Sequence, residues 1–384
     1  MSVTAAGGFR AAGVAAGLKS SGLPDVALVV NDGPSDAAAA VFTSNRVKAA
    51  PVLWSQQVIA DGRLRAVVLN AGGANACTGP DGFADTHRTA EQVAAALDVG
   101  AGDVAVCSTG LIGERLSMPA LLAGVDAAVA TLSPAGGPDA AEAIRTTDTV
   151  AKTEIFSHPD GWTVGGMAKG AGMLAPGLAT MLCVITTDAA VDAPDLDAVL
   201  RRNVARWFDR LDSDGCMSTN DTVLLMSSAA SGVRPDLADL DAALDHVCRH
   251  LTWKLLADAE GATKEITIDV GGAASETDAV EVGRAIARNN LLKCALFGND
   301  PNWGRVLAAI GTTSAEFDPD ALDVAINAVQ VCRGGTAGEP RHLVDLSGRQ
   351  VHIAVHLHAG NQGATIYTND LSHAYVEENS AYST

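Results

Sequence analysis

Apolar positions recur along this chain in two rhythms. Short unbroken runs rich in β-branched residues, bounded by Gly or Asn, read as buried strands at 65–70 (RAVVLN) and 103–108 (DVAVCS). Segments 263–270, 324–331, 351–358 and 364–368 also read as strands. In 351–358 the pattern alternates, with Val351, Ile353, Val355 and Leu357 on one face and His352, His356 and His358 on the other. Helical spacing links Leu196, Val199, Leu200, Val204, Trp207, Phe208 and Leu211, and 240–256 repeats it. Helices are also expected over the Ala-rich 89–97, over 119–132 with Pro in its first turn, and over 275–290, which opens S-E-T-D. Gly, Pro and Asp clusters at 135–139, 157–161, 298–302 and 334–340 mark loops. Strands and helices do not alternate strictly after about 263, so a layered α+β fold is expected rather than a doubly wound α/β one.

Composition narrows the function. The 384 residues suggest two or three folding units, and 48% apolar content supports a sizeable core. The net charge of −19 argues against a nucleic-acid partner and against attachment to anionic lipid. No apolar run is long enough to span a membrane. Residues 11–18 are mostly Ala and Gly rather than Leu-rich, and they run into Lys19, unlike a signal peptide. Seven scattered cysteines without a C-x-x-C pair speak against a zinc site or a disulfide framework, and a cytoplasmic location is expected. Cys107 and Cys183, inside apolar runs, read as core residues.

Several motifs fail on context. Gly170-Ala-Gly172-Met-Leu-Ala175 fits a loose dinucleotide fingerprint, but Pro176-Gly177 follows where a helix must start. Asp212, Asp214, Gly215 and Asp221 match positions of a calcium loop whose first ligand would be Arg210, a cation. The histidines of 351–358 lack an acidic or cysteine companion and read as a solvated face. His246 and His250 at i, i+4 lack a glutamate between them and read as structural. No metal is expected.

The segment 161–185 differs. It reads as a glycine-rich loop that carries Lys169 and delivers Ala179-Thr180 to the start of an apolar run. A threonine hydroxyl is a poor nucleophile unless a base lies within reach. A threonine at a freshly cut N-terminus meets that need, since its own α-amine (pKa about 8) can take the proton. Taken alone, the pattern fits a buried strand threonine after a turn better, since threonine is common in strands.

Longer motifs carry a resemblance. They are GFRAAGVAAGLK (8–19), NAGGANACTG (70–79), STGLIG (108–113), TTD (146–148), KGAGMLAPGLAT (169–180), STNDT (218–222), GNDPNWGR (298–305) and ENSAYST (378–384). In this order the chain resembles the ornithine acetyltransferases, bifunctional glutamate N-acetyltransferases of arginine biosynthesis and self-cleaving members of the N-terminal-nucleophile group. The resemblance implies an αββα sandwich with a smaller α/β lobe at roughly 263–345. It implies cleavage between Ala179 and Thr180, giving an α chain 1–179 and a β chain 180–384 that assemble as a heterotetramer. Thr180 is then the nucleophile. Thr109 and Gly110 match the oxyanion-hole pair, and Thr146, Lys169, Thr180, Glu260, Asn379 and Thr384 match the substrate binders.

The implied reaction moves acetyl from N2-acetylornithine to glutamate through an acetyl-Thr180 ester. The implied partners are small-molecule substrates, with no metal or organic cofactor; some members also take acetyl-CoA as donor. Lys169 suits the substrate's α-carboxylate, and Glu260 suits its δ-ammonium. Glu260 stands just past a helix C-terminus, where the dipole disfavours an acid. Two other readings remain at this point: an autoprocessing aminopeptidase or amidase that passes the acyl group to water, and an uncut non-catalytic scaffold.

Overall fold

The computed structural model describes residues 2–175 and 181–381. Ala179, Thr180 and Thr384 lie outside them. The first sheet orders β1 (Phe9–Val14), β2 (Val26–Asn31), β4 (Ala66–Ala71) and β5 (Val104–Thr109), antiparallel except for the parallel pair β4–β5. The second orders β3 (Ala38–Phe42), β9 (Thr222–Ser227), β8 (Leu182–Thr187), β7 (Thr163–Lys169) and β6 (Lys152–Ser157), with β8 and β9 parallel. The two sheets stack: Val29, Leu69 and Cys107 from one meet Met167, Val184 and Leu224 from the other in a single buried cluster.

Helices cover both outer faces. On the first sheet lie α1 (Ala50–Val58), α2 (Gly79–Leu97) and α3 (Met118–Ala130), whose Trp54, Val93, Leu121 and Val125 pack on Val26, Leu28 and Val106. The short α4 (Gly137–Ala143) contacts β1. On the second sheet lie α5 (Ala193–Arg206) and α6 (Leu237–Ala257), with Leu200, Leu244, Val247 and Leu251 against Cys183, Ile185 and Leu225. This is the expected αββα sandwich, and Cys107 and Cys183 are core residues in it.

A third, six-stranded sheet forms the second lobe. It comprises β10 (Glu265–Ala273), β11 (Asp323–Ile326), β12 (Val329–Arg333), β13 (Thr336–Ala337), β14 (Gln350–His356) and β15 (Gln362–Asn369). Its core packs against α7 (Glu276–Ala287), α8 (Asn290–Phe297) and α9 (Trp303–Ile310). The elements of this lobe run on past position 345, to Asn369. The S-E-T-D start of α7 works as a cap, with Ser275 Oγ accepting from Asp278 N–H at 3.1 Å. A final helix, α10 (His373–Ala381), returns to the sandwich, where Asn379 meets Glu260.

Three sequence expectations change. The run 324–331 is a hairpin of β11 and β12, because Asn327 and Ala328 both take positive φ and form a two-residue turn without glycine. The stretch 135–139 is not all loop, since α4 begins at Gly137 with Pro138 in its first turn. The glycine-rich stretch before Lys169 is a strand, β7. Its glycines admit close neighbours: a Cβ on Gly165 would lie 2.3 Å from Ser2 O. No helix among the described residues is long and apolar enough to cross a membrane.

Candidate active site

A cavity of about 310 Å³ opens where β5 and β7 end. It is lined by Thr109–Ile112, Thr146, Thr147, Lys169, Gly172, Met173, Glu260 and Asn379. The six described residues matched to the family site, Thr109, Gly110, Thr146, Lys169, Glu260 and Asn379, therefore share one cavity.

β5 is an edge strand, and that shapes the first wall. Alternate backbone groups on its outer side face away from the sheet: Val106 N–H donates to Ser55 Oγ at 3.0 Å. Gly110 has the same parity as Val106. The turn is tight, with Thr109 O accepting from Gly73 N–H at 3.0 Å. Gly110 has φ +129°, and a Cβ there would lie 2.5 Å from Gly73 N, so only glycine fits. Lys169 Nζ donates to Thr109 Oγ1 at 3.2 Å. A hydroxyl that accepts there keeps its own O–H to donate elsewhere.

Lys169 closes β7 and is 2% exposed. Burial lowers its pKa, and Asp148 opposes that. Asp148 Oδ1 accepts from Gly170 N–H at 2.7 Å and from Lys152 Nζ at 2.6 Å. Burial raises the Asp148 carboxyl, but Lys169 and Lys152 outweigh it and bring it to about 2. Lys152, itself fully buried, also meets Asp258 at 2.5 Å. The wall beneath Lys169 is thus a paired chain of charges rather than an isolated cation.

Glu260 lines the same cavity. Its N–H donates to Ala171 O at 3.1 Å. Its Oε1 accepts from Thr147 Oγ1 at 2.7 Å and its Oε2 from Asn379 Nδ2 at 3.0 Å. A Cβ on Gly172 would sit 2.6 Å from both carboxylate oxygens, so glycine makes room for the acid. The site therefore offers an ammonium, hydroxyl donors and a carboxylate within one cavity.

Sequence reasoning did not single out Thr147, Asp148, Gly172, Ile112 or Met173. All five lie in quoted motifs, TTD for the first two, STGLIG for Ile112 and KGAGMLAPGLAT for Gly172 and Met173, which were the available signal. Of the rejected motifs, the loose fingerprint at 170–175 lends Gly172 and Met173 to the cavity, and the calcium-like and histidine motifs do not line it. Asp212 pairs with Arg288 at 2.8 Å, and Asp214 Oδ2 accepts from Leu174 N–H at 3.1 Å. On the solvent face of β14, His352 meets Asp269 at 2.7 Å, and His358 just beyond it meets Asp323 at 2.9 Å. His246 and His250 come within 4.8 Å of Glu154 by their ligand atoms, but Lys254 already pairs with that carboxylate at 2.7 Å. A larger groove of about 620 Å³ between α5 and the third sheet holds Arg202, Arg206 and Arg210. Each of these is ion-paired, so the groove is larger but chemically committed.

Comparison with known proteins agrees with the motifs. The chain is 65% identical over 383 residues to the arginine biosynthesis bifunctional protein ArgJ of Streptomyces avermitilis, covering 100% of both. It is 61% identical over 388 residues to the protein of that name from Mycobacterium tuberculosis, covering 99% of this chain and 96% of the relative. A solved structure of an ornithine acetyltransferase complexed with ornithine, also from M. tuberculosis, shares 64% identity over 47% of this chain and 96% of its own, with a TM-score of 0.46. The ArgJ family model matches residues 10–384. Motifs, family model and full-length relatives agree, and this chain belongs to the ArgJ family.

Proposed function

We propose that this chain is an acyltransferase of arginine biosynthesis that moves acetyl from N2-acetylornithine to glutamate, releasing ornithine and N-acetylglutamate. The observation that carries the reading is the shared cavity, lined by Lys169, Thr109 and Glu260. That polarity suits an acylated amino acid with a carboxylate at one end and an ammonium on its side chain. A general amidase has no need of such a matched pair.

Cleavage between Ala179 and Thr180 frees the Thr180 α-amine. That amine takes the Thr180 hydroxyl proton as Oγ attacks the acetyl carbonyl. Thr109 O–H and Gly110 N–H stabilise the oxyanion. The carbon–nitrogen bond then breaks, the proton passes to the departing α-amine of ornithine, and an acetyl-Thr180 ester remains. The α-amine of glutamate attacks this ester, the Oγ–carbon bond breaks, and the proton returns to Oγ. Lys169 holds the carboxylate common to both substrates. Glu260 holds the δ-ammonium of acetylornithine, with Thr146, Asn379 and Thr384 completing the pocket. The scheme needs no metal or organic cofactor; acetyl-CoA enters, if used, as an alternative acetyl donor. The α and β chains assemble as a heterotetramer in the cytoplasm.

Mass spectrometry of the purified protein tests this. Two fragments, the second starting at Thr180, are expected, together with an acetylated β chain after exposure to N2-acetylornithine alone. Thr180→Ala should give one uncut chain and no transfer. A Thr180→Ala chain that is still cut, or still transfers acetyl, overturns the reading.

A further inference from the structure

The STNDT motif (218–222) leads into β9, and the mechanism above gives it no role. Its Asn220 and Asp221 side chains are 4% and 0% exposed, and neither lines the cavity. Asn220 Nδ2 donates to Ala74 O at 2.6 Å and to Ser108 O at 2.8 Å. Those two carbonyls flank the turn that presents Thr109 and Gly110. Ala74 N–H donates to Leu111 O at 2.9 Å, which closes the same turn from the other side. The next residue reaches the other half of the site. Asp221 Oδ1 accepts from Met181 N–H at 2.9 Å, and Thr222 N–H donates to Met181 O at 3.0 Å. Met181 directly follows Thr180 in the chain.

We propose that Asn220 and Asp221 act as one positioning unit that sets the oxyanion donors and the nucleophile-bearing strand at a fixed separation. Self-cleavage and acetyl transfer both depend on that separation. The proposal rests on Thr180 as nucleophile. The chemistry selects the residue types. Two carbonyls converging on one side chain need two donors, which the amide nitrogen of Asn220 supplies; a carboxylate there would set acceptor against acceptor. Asp221 needs only an acceptor toward Met181. Burial pushes its carboxyl well above the usual carboxylate range, against the Met181 N–H, the Ser218 hydroxyl and Lys169, which favour the charged form. The acceptor toward Met181 is the property the test isolates, and asparagine keeps it through its amide oxygen.

The test compares Asn220→Ala, Asp221→Ala and Asp221→Asn with the native chain. Cleavage is followed by time course on denaturing gels, and transfer by steady-state kinetics on the cut material. Both alanine variants should be cut more slowly and lose about 10- to 100-fold in kcat, with KM for N2-acetylornithine within about twofold, because misplacement by an ångström spoils the reacting geometry. Asp221→Asn should recover most of both rates. A merely structural role would lower the melting temperature without this split between kcat and KM. Folded alanine variants that cut and turn over at the native rate overturn the proposal, as does a rise in KM at unchanged kcat. Should Asp221→Ala fail to fold, Asn220→Ser, which keeps one donor, decides: an intermediate kcat supports the proposal and a native kcat overturns it. A native chain that is never cut sinks the Thr180 reading and this proposal together; a native chain cut no faster than its variants sinks this proposal alone.

Discussion

The sandwich and the third sheet bury their strands in different ways. In the sandwich, β2, β4, β5, β8 and β9 are buried at every position. In the third sheet, β10 and β14 alternate, with one face on α7–α9 and the other toward solvent. A polar side chain means different things in the two places. On the third sheet, His352 beside Asp269 sits where water would otherwise solvate it. Among the sandwich strands and their connections, Lys152, Lys169, Asn220 and Asp221 are buried and must be satisfied by named partners. Polar residues in doubly covered sheets are costly to place, and of these four Lys169 lines the cavity.

The sharpest break of this comparison is Lys152→Met. It leaves Asp148 and Asp258 without their shared cation, and the expected loss is about 3–5 kcal/mol in chemical denaturation. A loss under about 1 kcal/mol would make the buried pair no different from a surface one. Next comes Glu260→Ala, which should raise KM for N2-acetylornithine about 10- to 100-fold, the range of a hydrogen bond to a charged group. KM for glutamate, which lacks a side-chain ammonium, should move far less; equal changes in initial-rate kinetics would refute the ammonium role.

The third lever is pH. Asp148 titrates at about 2 in the fold against an ordinary 3.8. A depressed carboxyl contributes stability that is present above its ordinary value and lost as pH falls through its folded value, roughly 2 kcal/mol here. Melting temperature followed by circular dichroism should therefore fall between pH about 4 and about 2, and less steeply in Asp148→Asn. Smallest is His352→Ala on the exposed sheet face. Its pair with Asp269 is about half exposed on both sides, and under about 1 kcal/mol of stability should change.

The main rhythms were legible in the sequence. The run 65–70 is β4, displaced by one residue, and 240–256 lies within α6. What failed has local causes. The turn at Asn327-Ala328 lacks the glycine that normally marks positive φ. The glycines of β7 looked like a loop because their purpose, close approach of Ser2 and of Val247 on α6, involves residues far along the chain. Of the site, the resemblance supplied Thr109, Gly110, Thr146, Lys169, Glu260 and Asn379. Thr147 and Gly172 lie in quoted motifs, but their roles come from what they touch on Glu260.

By itself the sequence determined the strand and helix pattern, the acidic balance, and the motifs that place the chain in its family. These are local or additive properties, written in spacing and composition. Tertiary structure alone decided that Thr147, Glu260 and Asn379 bond to one another across 113 and 119 positions, and that Asn220 and Asp221 join two strands of different sheets. Such contacts are set by how layers stack, and no periodicity along a chain encodes which distant carbonyl a side chain will meet.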